Sequence, residues 1–331
     1  MPGLPEILAG IMLISLTIYA VMAGADFGGG VWDLFASGPR AGRQRDLIQK
    51  AIGPIWEANH VWLILVIVLM FTCFPPAFAA ISIALHIPLS LMLIGIVLRG
   101  SAFAFRSYDS GSHTRQKYWG RIFATASFYT PIMLGVSLGA ATTGDILIRN
   151  GTVQGGFFHS WLQPFPWAVG FFTLSLFSFL AAIYLTCEAR ESDLENDFRK
   201  RAILAGGAVG FFAAIVILLA RAGAPQLWRG LIDHWWAWIL QPLTAFFALG
   251  VFYFLFRRRF FRARLFAVIQ VLLIVLGWGV AEFPYLVRPE ITIRGACAPE
   301  HVLFVVLMAL LAGAVILFPS LFYLYRVFKS R

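Results

Sequence analysis

The sequence contains few charged residues and very few cysteines. Asp, Glu, Lys and Arg make up 13% of its 331 residues, about half of the share that is usual in a soluble domain. Cys73, Cys187 and Cys297 form no CxxC pair, which argues against a zinc or thioredoxin-like motif and leaves only a Cys73–Cys297 disulfide open. P-loop, Rossmann and HExxH patterns are also absent, so the sequence gives no support to soluble-enzyme chemistry.

Apolar residues dominate instead. They make up 60% of the chain, and the mean hydropathy is +0.80. Apolar stretches of about 20 residues, long enough to cross a bilayer, recur along the whole sequence without a loop long enough for a soluble domain. We therefore predict an all-α integral membrane protein with a single transmembrane domain over residues 1–331. The nine predicted spans are 6–35, 50–72, 76–99, 118–141, 163–187, 201–220, 235–256, 264–284 and 300–325.

The basic residues predict the orientation of these spans. Most Lys and Arg fall in the loops on one side, which the positive-inside rule assigns to the cytoplasm. An odd number of spans then puts the N-terminus in the periplasm and the C-terminus in the cytoplasm. The net charge of +10 is thus read as a topology feature and not as nucleic-acid binding. We expect a bacterial or archaeal cytoplasmic (inner) membrane.

Polar residues interrupt the second span, in GPIWEANHVWLI (residues 53–64). An ionisable group in hydrocarbon costs on the order of 3 kcal/mol, so Glu57 and His60 need a reason to be there. These two are three residues apart and share a helical face, whereas Asn59 lies on another face beside Trp56 and Trp62. Three interpretations stay open for this cluster: helix-packing hydrogen bonds, a proton path through Glu57 or its pairing with a cation, and metal or haem ligation.

Polar residues in the other predicted spans allow more than one structural or functional interpretation. Asp26, in AGADFGGGVWDL, either bonds to backbone that the following glycines expose or provides a second carboxylate near Glu57. The glycines also allow the first span to bend. His86 is a packing group or an axial ligand, Arg99 snorkels or pairs with an acid, and Glu282 is expected at headgroup level.

Four blocks of this sequence resemble subunit II of the cytochrome bd-type quinol oxidases. They are GADFGGG (24–30), IGPIWEANHVWLI (52–64), LRGSAFAFRS (98–107) and FPYLVRPEITIRGACAP (283–299). The blocks stand in the order of that family, and with the nine-span layout the resemblance covers nearly the whole chain.

The resemblance implies a terminal oxidase that oxidises quinol and reduces dioxygen to water. Haem b and haem d would belong to the partner, subunit I, in a heterodimer, and this chain would ligate no metal. It also implies a proton path through Glu57 and Asp26, supported by His60, Asn59 and Trp56. Two departures from the family stand against part of that path: Ala23 and Ala104 occupy positions where family members carry acids.

Two other functions remain open at this stage. One is a proton-coupled secondary transporter that uses Asp26 and Glu57, and the other is a purely structural subunit whose polar cluster fixes helix packing. The sequence also leaves open whether a structural quinone or lipid lies on this chain and whether a small single-helix accessory subunit joins the complex.

Overall fold

The structure, a computed structural model, describes residues 3–53, 56–108, 113–149, 152–154 and 156–329. These residues form thirteen helices and four short strands. The helices are α1 (Leu4–Leu34), α2 (Ala41–Ile52), α3 (Trp56–Cys73), α4 (Pro75–Ala84), α5 (His86–Tyr108), α6 (His113–Thr143), α7 (Gly156–His159), α8 (Pro164–Glu188), α9 (Ser192–Gly223), α10 (Pro225–Ile232), α11 (Ala237–Phe256), α12 (Phe260–Glu282) and α13 (Glu300–Lys329). The strands are β1 (Leu147–Arg149), β2 (Thr152–Gln154), β3 (Tyr285–Val287) and β4 (Ile291–Thr292).

Nine helices in the described part of the chain are long and apolar enough to cross a membrane. They are α1, α3, α5, α6, α8, α9, α11, α12 and α13. The predicted all-α polytopic fold is therefore confirmed. The strands form two antiparallel hairpins in loops, β1 with β2 and β3 with β4.

The second predicted span, 50–72, begins too early. Residues up to Ile52 belong to α2, a separate helix whose buried side chains include Gln44 and Ile48, and the membrane-crossing helix α3 begins only at Trp56. Much of α2 is polar, and one face packs against the bundle, as expected of a helix that lies along the membrane surface.

The third predicted span, 76–99, is wrong because two helices share that region. Pro75 and Pro76 begin the ten-residue helix α4, which ends before Leu85, and the crossing helix is α5. Pro88 lies in the first turn of α5, where its missing N–H removes no helical hydrogen bond. A proline there can begin a new helix, and the continuous apolar sequence hides that restart.

Helix α1 runs unbroken through its glycines, so it does not unwind there. The close approach predicted for these glycines is confirmed, because a Cβ atom added to Gly28 would lie 2.0 Å from the carbonyl oxygen of Phe177 in α8. Helices α1 and α8 thus pack backbone to backbone at this point. In α8, 72% of the most apolar stretch is buried, against 6% in α13, so α8 is central and α13 peripheral.

Candidate functional site

Asp26 and Asn59 form a buried hydrogen bond between α1 and α3. Asp26 is 5% exposed and Asn59 is 1% exposed, and the Asn59 amide Nδ2 donates to Asp26 Oδ2 over 2.6 Å. Helix α1 continues to Leu34, about 12 Å beyond Asp26 at the rise of an α-helix. The bond therefore lies inside the bundle and not at its end.

Arg99 provides the positive charge of this cluster. Its side chain is 1% exposed, so it does not snorkel to the surface, and it interacts electrostatically with Asp26. Its guanidinium carbon lies 4.7 Å from the centre of the Phe27 ring, and Nε donates to Ser127 Oγ over 3.1 Å. The structure thus favours pairing of Arg99 with an acid. We call Asp26, Asn59, Arg99 and Ser127 the inner cluster.

His60 is surrounded by aromatic rings at the edge of the inner cluster. Its ring centre lies 5.8 Å from that of Tyr19, 5.7 Å from Phe27 and 6.2 Å from Trp56. In the described part of the chain, no three His, Cys, Asp or Glu side chains come together as a metal site would require. The His60 imidazole is thus packed among aromatic rings and not in a group of metal-ligating side chains.

Glu57 faces away from the inner cluster. Its side chain is exposed on the surface of α3, while Asn59, two residues further along, is buried against α1. Two residues correspond to about 200° of helical rotation, so the predicted difference in faces is confirmed. The expectation that Glu57 is a buried neighbour of Asp26 needs correction, because the residue of α3 that reaches Asp26 is Asn59.

A second polar cluster lies on the side of the membrane where α1 begins, which we call the N-terminal side. Glu282 Oε2 accepts a 2.6 Å hydrogen bond from Arg288 Nε. Arg288 Nη1 donates to Gln226 Oε1 over 2.8 Å, and Nη2 donates to the carbonyl oxygen of Ala281 over 2.6 Å. Glu282 is the last residue of α12, as its predicted place near the end of a span requires, and both Glu282 and Arg288 are buried inside the protein. We call Glu282, Arg288 and Gln226 the outer cluster.

The loop after α12 also brings two cysteines into the same region. The backbone N–H of Ala298 donates to the carbonyl oxygen of Cys73 over 2.8 Å, so the segment around Cys297 packs against the end of α3. Cys73, Cys187 and Cys297 are all free thiols. The Cys73–Cys297 disulfide that the sequence left open is therefore absent from this structure.

Comparison with known proteins decides the family. The family model described as "Cytochrome bd terminal oxidase subunit II" matches residues 4–328. The chain belongs to this family. This confirms the resemblance that the four sequence blocks carried, and with the nine apolar helices it identifies a multi-pass membrane protein of an oxidoreductase complex.

Individual relatives agree with this assignment. The chain is 26% identical over 322 residues to a putative cytochrome bd menaquinol oxidase subunit II of Bacillus subtilis, covering 94% of this chain and 91% of that protein. It is 29% identical over 185 residues to the cytochrome bd-I ubiquinol oxidase subunit 2 of Escherichia coli, covering 54% of this chain and 46% of that protein. A chain of the bd oxidase from Geobacillus thermodenitrificans shares the fold, with a TM-score of 0.83, 24% identity and coverage of 99% of both chains.

Proposed function

We propose that this chain is the subunit of a quinol-oxidising, dioxygen-reducing terminal oxidase that supports a haem-bearing subunit I and provides a proton path. Family membership over residues 4–328 supports the oxidase and disfavours the transporter alternative. The relatives include both menaquinol and ubiquinol oxidases, so the proposal specifies a quinol without choosing between them. Haems b and d would be held by subunit I and supply the redox chemistry.

The exposure of Glu57 is the observation that carries the proton-path proposal. Glu57 is the sole charged residue of α3, a helix with a mean hydropathy of 1.6 in its most apolar stretch. Glu57 lies less than one helical turn from Asn59, which contacts Asp26 in α1. Helix α1 continues for eight residues beyond Asp26, to Leu34. Glu57 lies in the first turn of α3, and a carboxylate that faced lipid there would have a cost below the roughly 3 kcal/mol of a charge at the bilayer centre. We therefore place subunit I over this face of α3, where Glu57 can exchange protons with it.

In this proposal the two carboxylates have different tasks. Glu57 accepts a proton at a carboxylate oxygen from the side that the sequence predicts to be cytoplasmic and releases it toward the partner. Asp26 is held in one orientation by the Asn59 amide, and the Arg99 charge offsets its own. The inner cluster thus supplies a fixed electrostatic environment less than one helical turn along α3 from Glu57. Ala23 and Ala104 add no further acid to the path.

The test is the change Glu57→Gln in the purified two-subunit complex. A general acid–base group contributes about 10²- to 10⁴-fold, so we expect quinol-driven oxygen consumption and proton uptake to fall at least tenfold. The control is Glu57→Asp, which keeps the carboxylate and should retain most of the activity. A reduced-minus-oxidised spectrum with normal haem b and d bands shows that each variant is assembled. Unchanged turnover in a normally assembled Glu57→Gln complex would leave this chain with a structural role only.

A further inference from the structure

A large cavity opens between α1, α3, α6 and α12 on the N-terminal side of the bundle. Its volume is about 950 Å³, at the upper end of the range for small-ligand sites. Apolar side chains line its middle, among them Leu13, Leu63 and Val66. Ile67 and Leu93 line the cavity and are also exposed on the surface of the bundle, so the cavity opens sideways toward the membrane.

The outer cluster forms the polar end of this cavity. Glu282 lines the cavity and is 8% exposed, and its Oε1 is buried without a hydrogen-bond partner among the described residues. The neighbouring Thr142 hydroxyl donates to the carbonyl oxygen of Leu138 over 3.1 Å, in the geometry that leaves Oε1 without a partner among the described residues, and this hydroxyl is close enough to turn toward Glu282 instead. A buried acceptor without a donor costs about 1–3 kcal/mol, so Oε1 indicates a ligand that carries a hydroxyl or amine donor.

Arg229 adds an unpaired positive charge at the same end. Two of the cavity-lining carboxylates already have cations, since Glu282 pairs with Arg288 over 2.6 Å and Glu6 pairs with Arg294 over 2.5 Å. Arg229 lines the cavity and forms no ion pair among the described residues. With Arg294 counted, which pairs with Glu6 from outside the lining, the polar end of the cavity has three arginines for two carboxylates.

From this geometry we infer that the cavity binds one phosphatidylglycerol-type lipid, with its phosphate at Arg229 and a headgroup hydroxyl donating to Glu282 Oε1. The acyl chains would lie along Leu13 and Val66 and leave beside Leu93. A lipid with one net negative charge neutralises the polar end, whereas phosphatidylethanolamine, although its phosphate could contact Arg229 and its ammonium could donate to Glu282, adds no net charge and would leave the polar end positive. A neutral quinone would provide no anion for Arg229.

The test is a lipid-binding experiment on the purified, delipidated two-subunit complex. Native mass spectrometry measures how many lipid molecules bind and how tightly. The probes are dioleoyl phosphatidylglycerol, dioleoyl phosphatidylethanolamine and dioleoyl phosphatidylcholine. We expect one phosphatidylglycerol to bind at least tenfold more tightly than either other lipid, and Arg229→Gln to remove most of this preference. Arg221→Gln is the matched control, because Arg221 is an exposed arginine near the end of α9 that does not line the cavity.

A second variant tests the cavity by volume and not by charge. Gly10 lines the cavity, and a Cβ atom added there meets no atom within 4 Å, so Gly10→Phe should fill the space without a clash. We expect it to reduce phosphatidylglycerol binding at least tenfold, while Gly207→Phe, at an equally open position on α9 outside the cavity, leaves binding unchanged.

Three results would overturn the inference. They are equal binding of the three lipids, retention of full phosphatidylglycerol binding in both Arg229→Gln and Gly10→Phe, and a quinone as the molecule that co-purifies in the cavity and is displaced by Gly10→Phe. Lipid binding is measured without turnover, so its outcome is independent of the proton-path test on Glu57. Glu282→Gln adds a check on the headgroup contact and should weaken binding less than Arg229→Gln, because an amide oxygen still accepts a hydrogen bond.

Discussion

The inner and outer clusters both bury charge in an apolar bundle, but they are built in different ways. The inner cluster joins separate helices, since Asp26 in α1 is bonded to Asn59 in α3 and Arg99 in α5 to Ser127 in α6. The outer cluster is centred on a loop, because Arg288 returns to Glu282 six residues earlier at the end of α12 and also binds Gln226 in α10. The inner cluster therefore fixes how helices pack, and the outer cluster fixes a loop over the cavity.

The charges are also balanced differently in the two clusters. Arg288 contacts Glu282 directly over 2.6 Å and bonds to two more acceptors. Arg99 lies between aromatic rings, 4.7 Å from the centre of Phe27 and 5.3 Å from that of Phe123, and its Nη2 has no hydrogen-bond partner among the described residues. Removal of the arginine should consequently cost more in the outer cluster, where a carboxylate loses its direct partner.

The largest effect is expected from Arg288→Met. This change leaves the Glu282 carboxylate buried without its cation, which typically costs about 3–5 kcal/mol. We expect a marked fall in the unfolding temperature of the purified complex. Tryptophan fluorescence during heating measures this temperature. The double variant Glu282→Gln with Arg288→Met should recover part of the loss, since no unpaired charge remains. If the single variant is as stable as the parent, the outer cluster does not stabilise the fold.

A smaller but substantial effect is expected from Gly28→Ala, close to the inner cluster. The new Cβ would lie 2.0 Å from the carbonyl oxygen of Phe177, so α1 and α8 must move apart, at a typical overpacking cost of about 1–3 kcal/mol. The yield of assembled complex in size-exclusion chromatography is the measurement. Gly10→Ala on the same helix, at the cavity, is the control and should be neutral or slightly stabilising, because no atom lies within 4 Å.

The coupling of Asp26 with Asn59 should be smaller again. A double-mutant cycle with Asp26→Asn and Asn59→Ala isolates their interaction, and a hydrogen bond to a charged group contributes about 1.5–3 kcal/mol before the neighbours adjust. We expect a coupling of about 1–2 kcal/mol in the stability of the complex. Additive single effects would show that the 2.6 Å contact does not bind α1 to α3.

The number of membrane helices could be predicted because the bilayer restricts what a chain can do. A segment that crosses lipid must satisfy its own backbone, so apolar runs of sufficient length become helices. The interruption between α4 and α5 could not be predicted from apolar length alone, because the sequence stays largely apolar across Leu85. Pro88, in the first turn of α5, is the local feature that permits a new helix to begin there.

The candidate site was predictable in part for similar reasons. Asp26, Glu57 and Asn59 were found because polar residues are rare in these spans, but the pairing of Asp26 with Asn59 was missed. Helix α3 is apolar on all sides, so its sequence does not show which face meets α1. The outer cluster was missed because Arg288 returns to Glu282 through the hairpin of β3 and β4, a loop geometry that no sequence pattern indicates.

The smallest effect is expected from Arg43→Gln, which removes an ion pair outside both clusters. Arg43 and Glu191 are 2.5 Å apart, like the outer pair, but both side chains are 51% exposed. Exposed ion pairs contribute about 0–1 kcal/mol and are screened by salt, so the unfolding temperature should stay within error of the parent at low and high ionic strength. Arg43 thus serves as a distance-matched counterpart of Arg288. If its loss cost as much as that of Arg288, contact distance and not burial would explain the outer cluster.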